Sequence, residues 1–208
     1  MAHPTPSQLR ALKKRDPKLA AAMKKLDKFP GFPEAAGRRV SHWESLARAI
    51  VFQQLAGAAA TTIFGRVVAL TPGPRLAKPE DLLKIPFESL RSAGLSNAKA
   101  LSVIDLANHI VDGRLKLRGI HHRSDDEVID LLTDVRGIGP WTAQMFLMFK
   151  LGRLDVLPSA DLGVQEGLRL LDGLKERPTP KELEERCAVW APLRSVGSWM
   201  MYRMVDAR

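Results

Sequence analysis

LLTDVRGIGPWTAQMFLMFKLGRLDVLPSADLGVQEG, residues 131–167, decides the reading of this chain. Two helical patterns flank a turn at Val135-Arg136-Gly137-Ile138-Gly139-Pro140. Leu131 and Leu132 lie on the first; Trp141, Met145, Leu147, Met148 and Leu151 give the second its apolar positions. Two glycines a residue apart permit a tight hairpin with a close backbone approach. Pro140 suits the first position of the second helix, where a backbone N–H is not needed. The N–H groups of that helix's first turn then point outward and form a ready anion site. Ten residues after the second helix comes Asp161, in Pro158-Ser159-Ala160-Asp161, where a further helix opens.

The composition narrows what such a hairpin can hold. A chain of 208 residues can bury one sizeable core, or form two lobes sharing a cleft. Its hydrophobic fraction of 45% is that of a soluble globular protein. The net charge of +9 draws it to nucleic acid through phosphate charge and counterion release. Basicity alone is weak evidence, since ribosomal and membrane-surface proteins share it. Together with the hairpin, it makes residues 135–140 a candidate grip on a DNA phosphate, with Asp161 placed to do chemistry. The single cysteine, Cys187, excludes a disulfide framework and a four-cysteine iron–sulfur cluster. No run approaches the roughly 18 apolar residues of a membrane span, and MAHPTPSQLR has no apolar signal core. A cytoplasmic, nucleoid-associated protein without a membrane partner is expected. His121-His122 has no further ligands at metal-site spacing and reads as a solvent-facing pair.

Working outward, residues 1–6 read as a disordered lead-in and 7–15 and 17–28 as helices, with Asp16 as N-cap and Pro17 at the first helical position. Seven Lys/Arg between positions 13 and 28 read as a solvated face. A loop over 29–40 leads to Ser41-His42-Trp43-Glu44, a capping-box sequence opening a helix that ends near Gln54. Gly57 precedes a helix over about 58–70, and a proline-rich connection with a short helix fills 71–86. Helices follow at Phe87–Ala93 and about 97–112, then a basic loop over 113–123. Lys99 reads equally well as a phosphate contact or a surface lysine. Ser124-Asp125-Asp126-Glu127 is a second capping box, opening the first hairpin helix. Beyond Asp161, helices are expected at Leu162–Leu171, from Thr179-Pro180-Lys181-Glu182, and at Trp190–Met204. No period-2 strand of useful length is visible, so the fold class is all-α.

The quoted stretch resembles the helix-hairpin-helix plus Gly/Pro…Asp motif of the HhH-GPD DNA glycosylase superfamily, and within it the 3-methyladenine DNA glycosylase II (AlkA-type) group. Ala49-Ile50-Val51-Phe52-Gln53-Gln54-Leu55, Gly94-Leu95-Ser96-Asn97-Ala98-Lys99 and Trp190-Ala191-Pro192-Leu193-Arg194-Ser195 resemble further segments of that group, in family order. A lone GxG hairpin would be weak; the ordered set is specific. The resemblance implies one glycosylase domain over 7–208 with a hairpin at about 127–151. Its two helical lobes would comprise about 41–123 and about 124–208, the latter carrying the N-terminal helices 7–40 on the C-terminal helix, with the active-site cleft between lobes. AlkA-type enzymes often carry an extra N-terminal α+β domain; this chain looks like the compact form.

The resemblance also assigns roles. Asp161 aligns with the catalytic Asp, whereas spacing alone reads it as an ordinary N-cap of the helix starting at Leu162. Such a carboxylate stabilises the positive charge that builds on the sugar as a base–sugar bond breaks, and the helix dipole favours an anion there. Asp155 is the nearby rival outside the matching position. Gln54 takes the position of a wedge entering the duplex where a base is flipped out, with Leu55 as second choice and Gln53 beside them. The N–H groups of Gly139, Trp141 and Thr142, next to Gly137, would face a phosphate. Trp141 and Tyr202 match aromatic pocket positions that would stack on a cationic base, with Tyr where the family has Trp. Met145 stands where some members have Tyr. Without the resemblance, Trp141 and Tyr202 read as core aromatics. Backbone carbonyls of Thr133, Val135 and Ile138 would hold a structural Na+ or K+; no other cofactor is implied. Trp141 occupies the position of the strand-cleaving members' Schiff-base lysine, which implies a monofunctional hydrolase. The partner is then double-stranded DNA with alkylated bases, 3-methyladenine and also 7-methylguanine, and a monomer is expected. Alternatives are a non-catalytic DNA-binding or lesion-sensing module, or a related glycosylase for another lesion class.

Overall fold

The computed structural model describes residues 2–32 and 40–207; most of the loop expected over 29–40 lies outside the described residues. In chain order the helices are α1 (Pro6–Arg15), α2 (Pro17–Ala22), α3 (His42–Phe52), α4 (Gly57–Val68), α5 (Pro79–Leu82) and α6 (Phe87–Ser92). They continue as α7 (Asn97–Val111), α8 (Asp125–Thr133), α9 (Pro140–Met145), α10 (Leu162–Asp172), α11 (Pro180–Cys187) and α12 (Arg194–Asp206). Among the described residues there is no strand, only an isolated antiparallel bridge between Ala2 and Phe32. The fold is all-α, as the patterning requires, and none of these helices is long and apolar enough to cross a membrane.

Packing divides the chain into two compact units, residues 39–146 and residues 1–38 with 147–208. In the first, α7 is the hub. Its Ala100, Val103, Leu106 and Ala107 are buried, and it packs against α3, α5 and α6. Trp43 of α3 donates its indole N–H to the Ala77 carbonyl at 2.8 Å, pinning the proline-rich connection. Burying a side chain such as Leu46, Ile50 or Leu106 contributes roughly 1.5–3 kcal/mol each, so this stripe decides how the short helices assemble. Helix starts follow the expected chemistry: Ser41 accepts the Glu44 N–H at 3.0 Å, Ser96 the Lys99 N–H at 3.2 Å, and Ser124 with Glu127 forms a full capping box.

In the second unit α10 and α12 pack face to face. They come close enough for Gly167 to lie on the Met201 backbone, where any Cβ would overlap. A buried polar knot ties α1, α2, α10 and α11 together. Asp16 caps α2 through the Leu19 N–H at 3.0 Å and accepts from Arg186 Nη1 at 2.8 Å and from Trp190 Nε1 at 2.7 Å. Arg186 also forks onto Asp172 at 2.7 and 3.2 Å, and Lys18 reaches Asp172 at 3.0 Å. Burial opposes ionisation of Asp16 and Asp172, yet the Arg186 hydrogen bonds and charge outweigh it and hold both carboxyls below the usual range.

Three expectations change. Residues 2–6 are not a disordered lead-in: Ala2 pairs with Phe32, and Thr5 forms a capping box with Gln8 that starts α1 at Pro6. The second hairpin helix does not run on as α-helix to Leu151; it passes at Phe146 into a π-helical turn over Phe146–Leu151. The hairpin also does not group with 147–208. It belongs to the 39–146 unit, where the residue after α3 and a side chain of α7 hold its turn (Gln53 to Gly137, Asp105 to Arg136).

Candidate active site and nucleic-acid interface

The segment leading to Asp161 is fixed at the head of α12. Arg194 forks onto Asp155, with Nε and Nη2 donating at 2.9 and 2.8 Å, and its backbone N–H donates to the same carboxylate at 3.1 Å. Ser195 continues the clamp, donating its N–H to the Leu154 carbonyl at 3.0 Å and accepting the Val156 N–H at 2.8 Å. Asp155, the nearby rival, is therefore committed to an ion pair, and Arg194 joins this segment to the last helix.

Asp161 stands six residues on, buried at 8% exposure. Its Oδ1 accepts the Val164 N–H at 2.9 Å and its carbonyl accepts the Gln165 N–H at 2.9 Å. The Gln165 side chain turns back to the Ser159 carbonyl at 2.9 Å, bracing the loop. Asp161 is thus the N-cap of α10. The half-buried Tyr202 of α12 hydrogen-bonds to Asp161; burial, then the Asp161 charge and this bond, push its phenol above the usual range. Phe149 lies 6.5 Å from the Tyr202 ring and edge-on to Phe32 at 4.9 Å.

In the other unit, the loop after α3 and the hairpin are built as one piece. Gln53 Nε2 donates to the Gly137 carbonyl at 2.9 Å and to Thr142 Oγ1 at 3.2 Å. Lys99 Nζ donates to the Val51 and Gln53 carbonyls, both at 2.7 Å, and burial lowers its ammonium from the usual lysine range. Gln53 and Lys99 are therefore struts. Lys99, read equally as a phosphate contact or a surface lysine, caps the C-terminal end of α3, where a cation is favoured. Gln54 and Leu55 are exposed at the loop tip, and Gln54 is the only non-glycine with positive φ (+54°) among the described residues.

The two hairpin glycines do different jobs. Gly137 takes φ +77°, and a Cβ there would overlap Ser102 Oγ of α7. Asp105 of α7 accepts the Arg136 N–H at 2.8 Å, holding the same turn. Gly139 is extended, and a Cβ on it would meet open space, so this face of the turn is free for a ligand to approach. Trp141 and Met145 are four apart on the helix that follows and share a face. Trp141 is 44% exposed and Met145 half-buried, so Trp141 is no core aromatic. Of the sequence-derived residues, Asp161 and Tyr202 meet in one unit. Gln53, Gly137, Thr142 and Lys99 are linked in the other, with Trp141 and Met145 on the helix beginning there. The struts Gln53, Lys99 and Asp105 were not legible as such, because Gln53 and Gly137 are 84 residues apart and no local pattern pairs them.

The chain matches the HhH-GPD superfamily base excision DNA repair protein family over residues 47–192. It belongs to that family. It is 32% identical over 172 residues to the DNA-3-methyladenine glycosylase 1 of Schizosaccharomyces pombe, covering 82% of this chain and 75% of that protein. The solved S. pombe 3-methyladenine DNA glycosylase in complex with abasic DNA superposes with a TM-score of 0.84 at 28% identity, over 95% of each chain. The crystal structure of a DNA-3-methyladenine glycosidase from Bacillus halodurans gives 0.83 at 34% identity, over 97% of this chain and 90% of that one.

Proposed function

We propose that this chain is a monofunctional DNA glycosylase of base excision repair. It flips an alkylated purine out of duplex DNA and hydrolyses its N-glycosidic bond. The observation that supports the reading is that Asp161, to which the resemblance gives the catalytic role, is a buried carboxylate, while its rival Asp155 is engaged by Arg194. Alkylation at N3 or N7 makes a purine cationic, so the base leaves with the bonding electrons as a neutral molecule and needs little acid assistance. The sugar passes through an oxocarbenium-like state that the Asp161 carboxylate stabilises. Water then adds to the anomeric carbon, and its proton passes to the carboxylate or to solvent.

The other residues divide the remaining work. Gly139 and the first N–H groups of α9 take a phosphate, and the exposed pair Gln54 and Leu55 fills the gap left by the flipped base, Gln54 first. Trp141 and Met145 offer an apolar face to the cationic base, which favours an electron-rich ring. Trp141 also stands where a Schiff-base lysine would have to be, so strand cleavage is not part of the reaction. The carbonyls of Thr133, Val135 and Ile138 suit a monovalent cation. They are neutral oxygens, that of Thr133 at the C-terminal end of α8 and those of Val135 and Ile138 in the turn that follows, and Val135 accepts the Ile138 N–H at 3.1 Å. The partner is duplex DNA with alkylated bases, bound by a monomer.

Competition among duplexes bearing one lesion each tests the substrate class. Methylated purines should be released well ahead of uracil and 8-oxoguanine; the opposite order would assign the chain to another lesion class. DNA binding without release of any base would make it a lesion-sensing module. Gly137→Ala tests the hairpin. Forcing a Cβ into a left-handed turn against Ser102 costs roughly 1–2 kcal/mol. Affinity for undamaged duplex should fall about tenfold, read by fluorescence anisotropy. Gly139→Ala, whose Cβ enters open space, should keep its melting temperature. Equal affinity of Gly137→Ala and wild type would remove the hairpin from DNA binding.

A further inference from the structure

We propose that the Tyr202 hydroxyl is a positioning group for Asp161: it donates a hydrogen bond that sets the plane of the carboxylate, a role distinct from stacking on the base. This rests on Asp161 acting as proposed above. The geometry comes from the close packing of α10 and α12. Gly167 lies on the Met201 backbone, and one turn earlier Gly163 lies beneath the Tyr202 ring. A Cβ on Gly163 would sit 3.0 Å from Tyr202 Cε1 and 3.1 Å from Cδ1, and 3.1 Å from Asp161 Oδ1. Only a glycine lets the edge of the phenol run beside the carboxylate without displacing either.

The chemistry of the pair fixes the direction of the bond. Tyr202 is buried against a carboxylate, and both burial and that negative charge keep its phenol protonated, so the hydroxyl is the donor. Oδ1 of Asp161 is already held by the Val164 N–H at 2.9 Å. One donor leaves the carboxylate free to swing about that contact. A second donor from another helix fixes its plane, and a charge that stabilises a developing cation works best when it need not reorganise. Phe149 lies beside the Tyr202 ring, its centroid 6.5 Å away, and is itself packed edge-on against Phe32. Tyr202 is therefore built from the side of α12 to address Asp161.

The chain contains one tyrosine, which makes the contact directly readable. Phenolate absorbance during alkaline titration reports Tyr202 alone, with Tyr202→Phe as the blank and far-UV circular dichroism marking the limit of the folded range. Wild type should ionise well above the usual tyrosine value of about 10. Asp161→Asn should ionise at lower pH, because a neutral amide replaces the charge that opposes phenolate. No shift between the two would overturn the contact, whatever the activity of the enzyme.

Base release then tests the role. Tyr202→Phe keeps the ring and loses only the hydroxyl. Its single-turnover rate should fall about 10- to 100-fold, while affinity for duplex carrying an abasic-site analogue and the melting temperature stay at wild-type values. In the Asp161→Asn background the same change should have no further effect. A Tyr202→Phe rate equal to wild type, or a loss confined to DNA affinity, would contradict positioning and leave the ring as a stacking surface. A wild type that shifts on titration but releases no base would instead sink the glycosylase reading and leave the Tyr202–Asp161 contact standing.

Discussion

Asp161→Asn should lower single-turnover base release by at least 100- to 1,000-fold and leave the fold intact. The two halves of this expectation have different origins. Asp161 is the N-cap of α10, and Oδ1 carries the Val164 N–H at 2.9 Å. Asparagine caps a helix about as well as aspartate, so the melting temperature should stay within a few degrees of wild type. What asparagine lacks is the negative charge that the proposed reaction sets against the cationic sugar. A fixed, water-excluded charge of this kind is worth roughly 3–4 kcal/mol, by comparison with single oxyanion-hole donors. Asp161→Ala removes the cap as well and should cost about 1 kcal/mol in stability besides the activity. Asp155→Asn would weaken the Arg194 clamp and reduce stability first. If Asp155→Asn lost activity at wild-type stability and Asp161→Asn kept it, the assignment would be reversed.

The largest effect on stability is expected at Asp16. Asp16→Ala takes the cap from α2, the acceptor from Trp190 Nε1 and one of two partners from Arg186. Trp190 is fully buried, so its N–H has no access to water once Asp16 is gone. Breaking a buried pair by removing one partner costs about 3–5 kcal/mol, a large share of the roughly 5–15 kcal/mol that holds a domain folded. For a chain of this size the melting temperature should drop by about 10 °C. The same knot sets the acid limit. Asp16 and Asp172 have depressed pKa values in the folded state, with Arg186 outweighing the cost of burial. Their stabilisation is complete above the unfolded value of about 4 and is lost as pH falls through the folded values. Wild type should therefore hold its melting temperature down to about pH 4 and lose it below. Asp16→Ala should show a shallower loss over that range. Cys187 reports the opening: it is buried and its thiol is pushed up to about 12, chiefly by burial, so thiol reagents should reach it only as the unit unfolds. A melting temperature unchanged in Asp16→Ala would show that the knot is not what holds these helices.

Much of the fold was legible because helix ends are written locally. Asp16-Pro17, Ser124 with Glu127 and Thr179 with Glu182 each satisfy their own backbone within three residues, and each start lies where that chemistry puts it. Thr5-Pro6-Ser7-Gln8 carries the same signal, a capping box with proline at the first position, and it overrides the polar, proline-rich look of the N-terminus. The catalytic role proposed for Asp161 rests on the resemblance, since an N-cap and a catalytic carboxylate look alike in one sequence. What could not be read was pairing at a distance. Gln53, read beside the wedge, and Lys99, read equally as a phosphate contact or a surface lysine, are carried by the fold to Gly137, Thr142 and the end of α3. The approach of Tyr202 to Asp161 depends on Gly163 of another helix, which no local pattern announces. The unit boundary at 146 likewise goes with bonds made by the residue after α3 and by α7 to the hairpin turn, which no periodicity announces.

Duplex DNA treated with a simple methylating agent, incubated with wild-type protein, tests the central claim most directly. The released bases are separated by chromatography, and strand breaks are counted before and after hot alkali. Free 3-methyladenine should appear with time, with breaks only after alkali, since hydrolysis leaves an intact abasic strand. Breaks without alkali would contradict the assignment of Trp141 to a site without a Schiff-base lysine, and the absence of any free methylated base would contradict the assignment of Asp161 to catalysis.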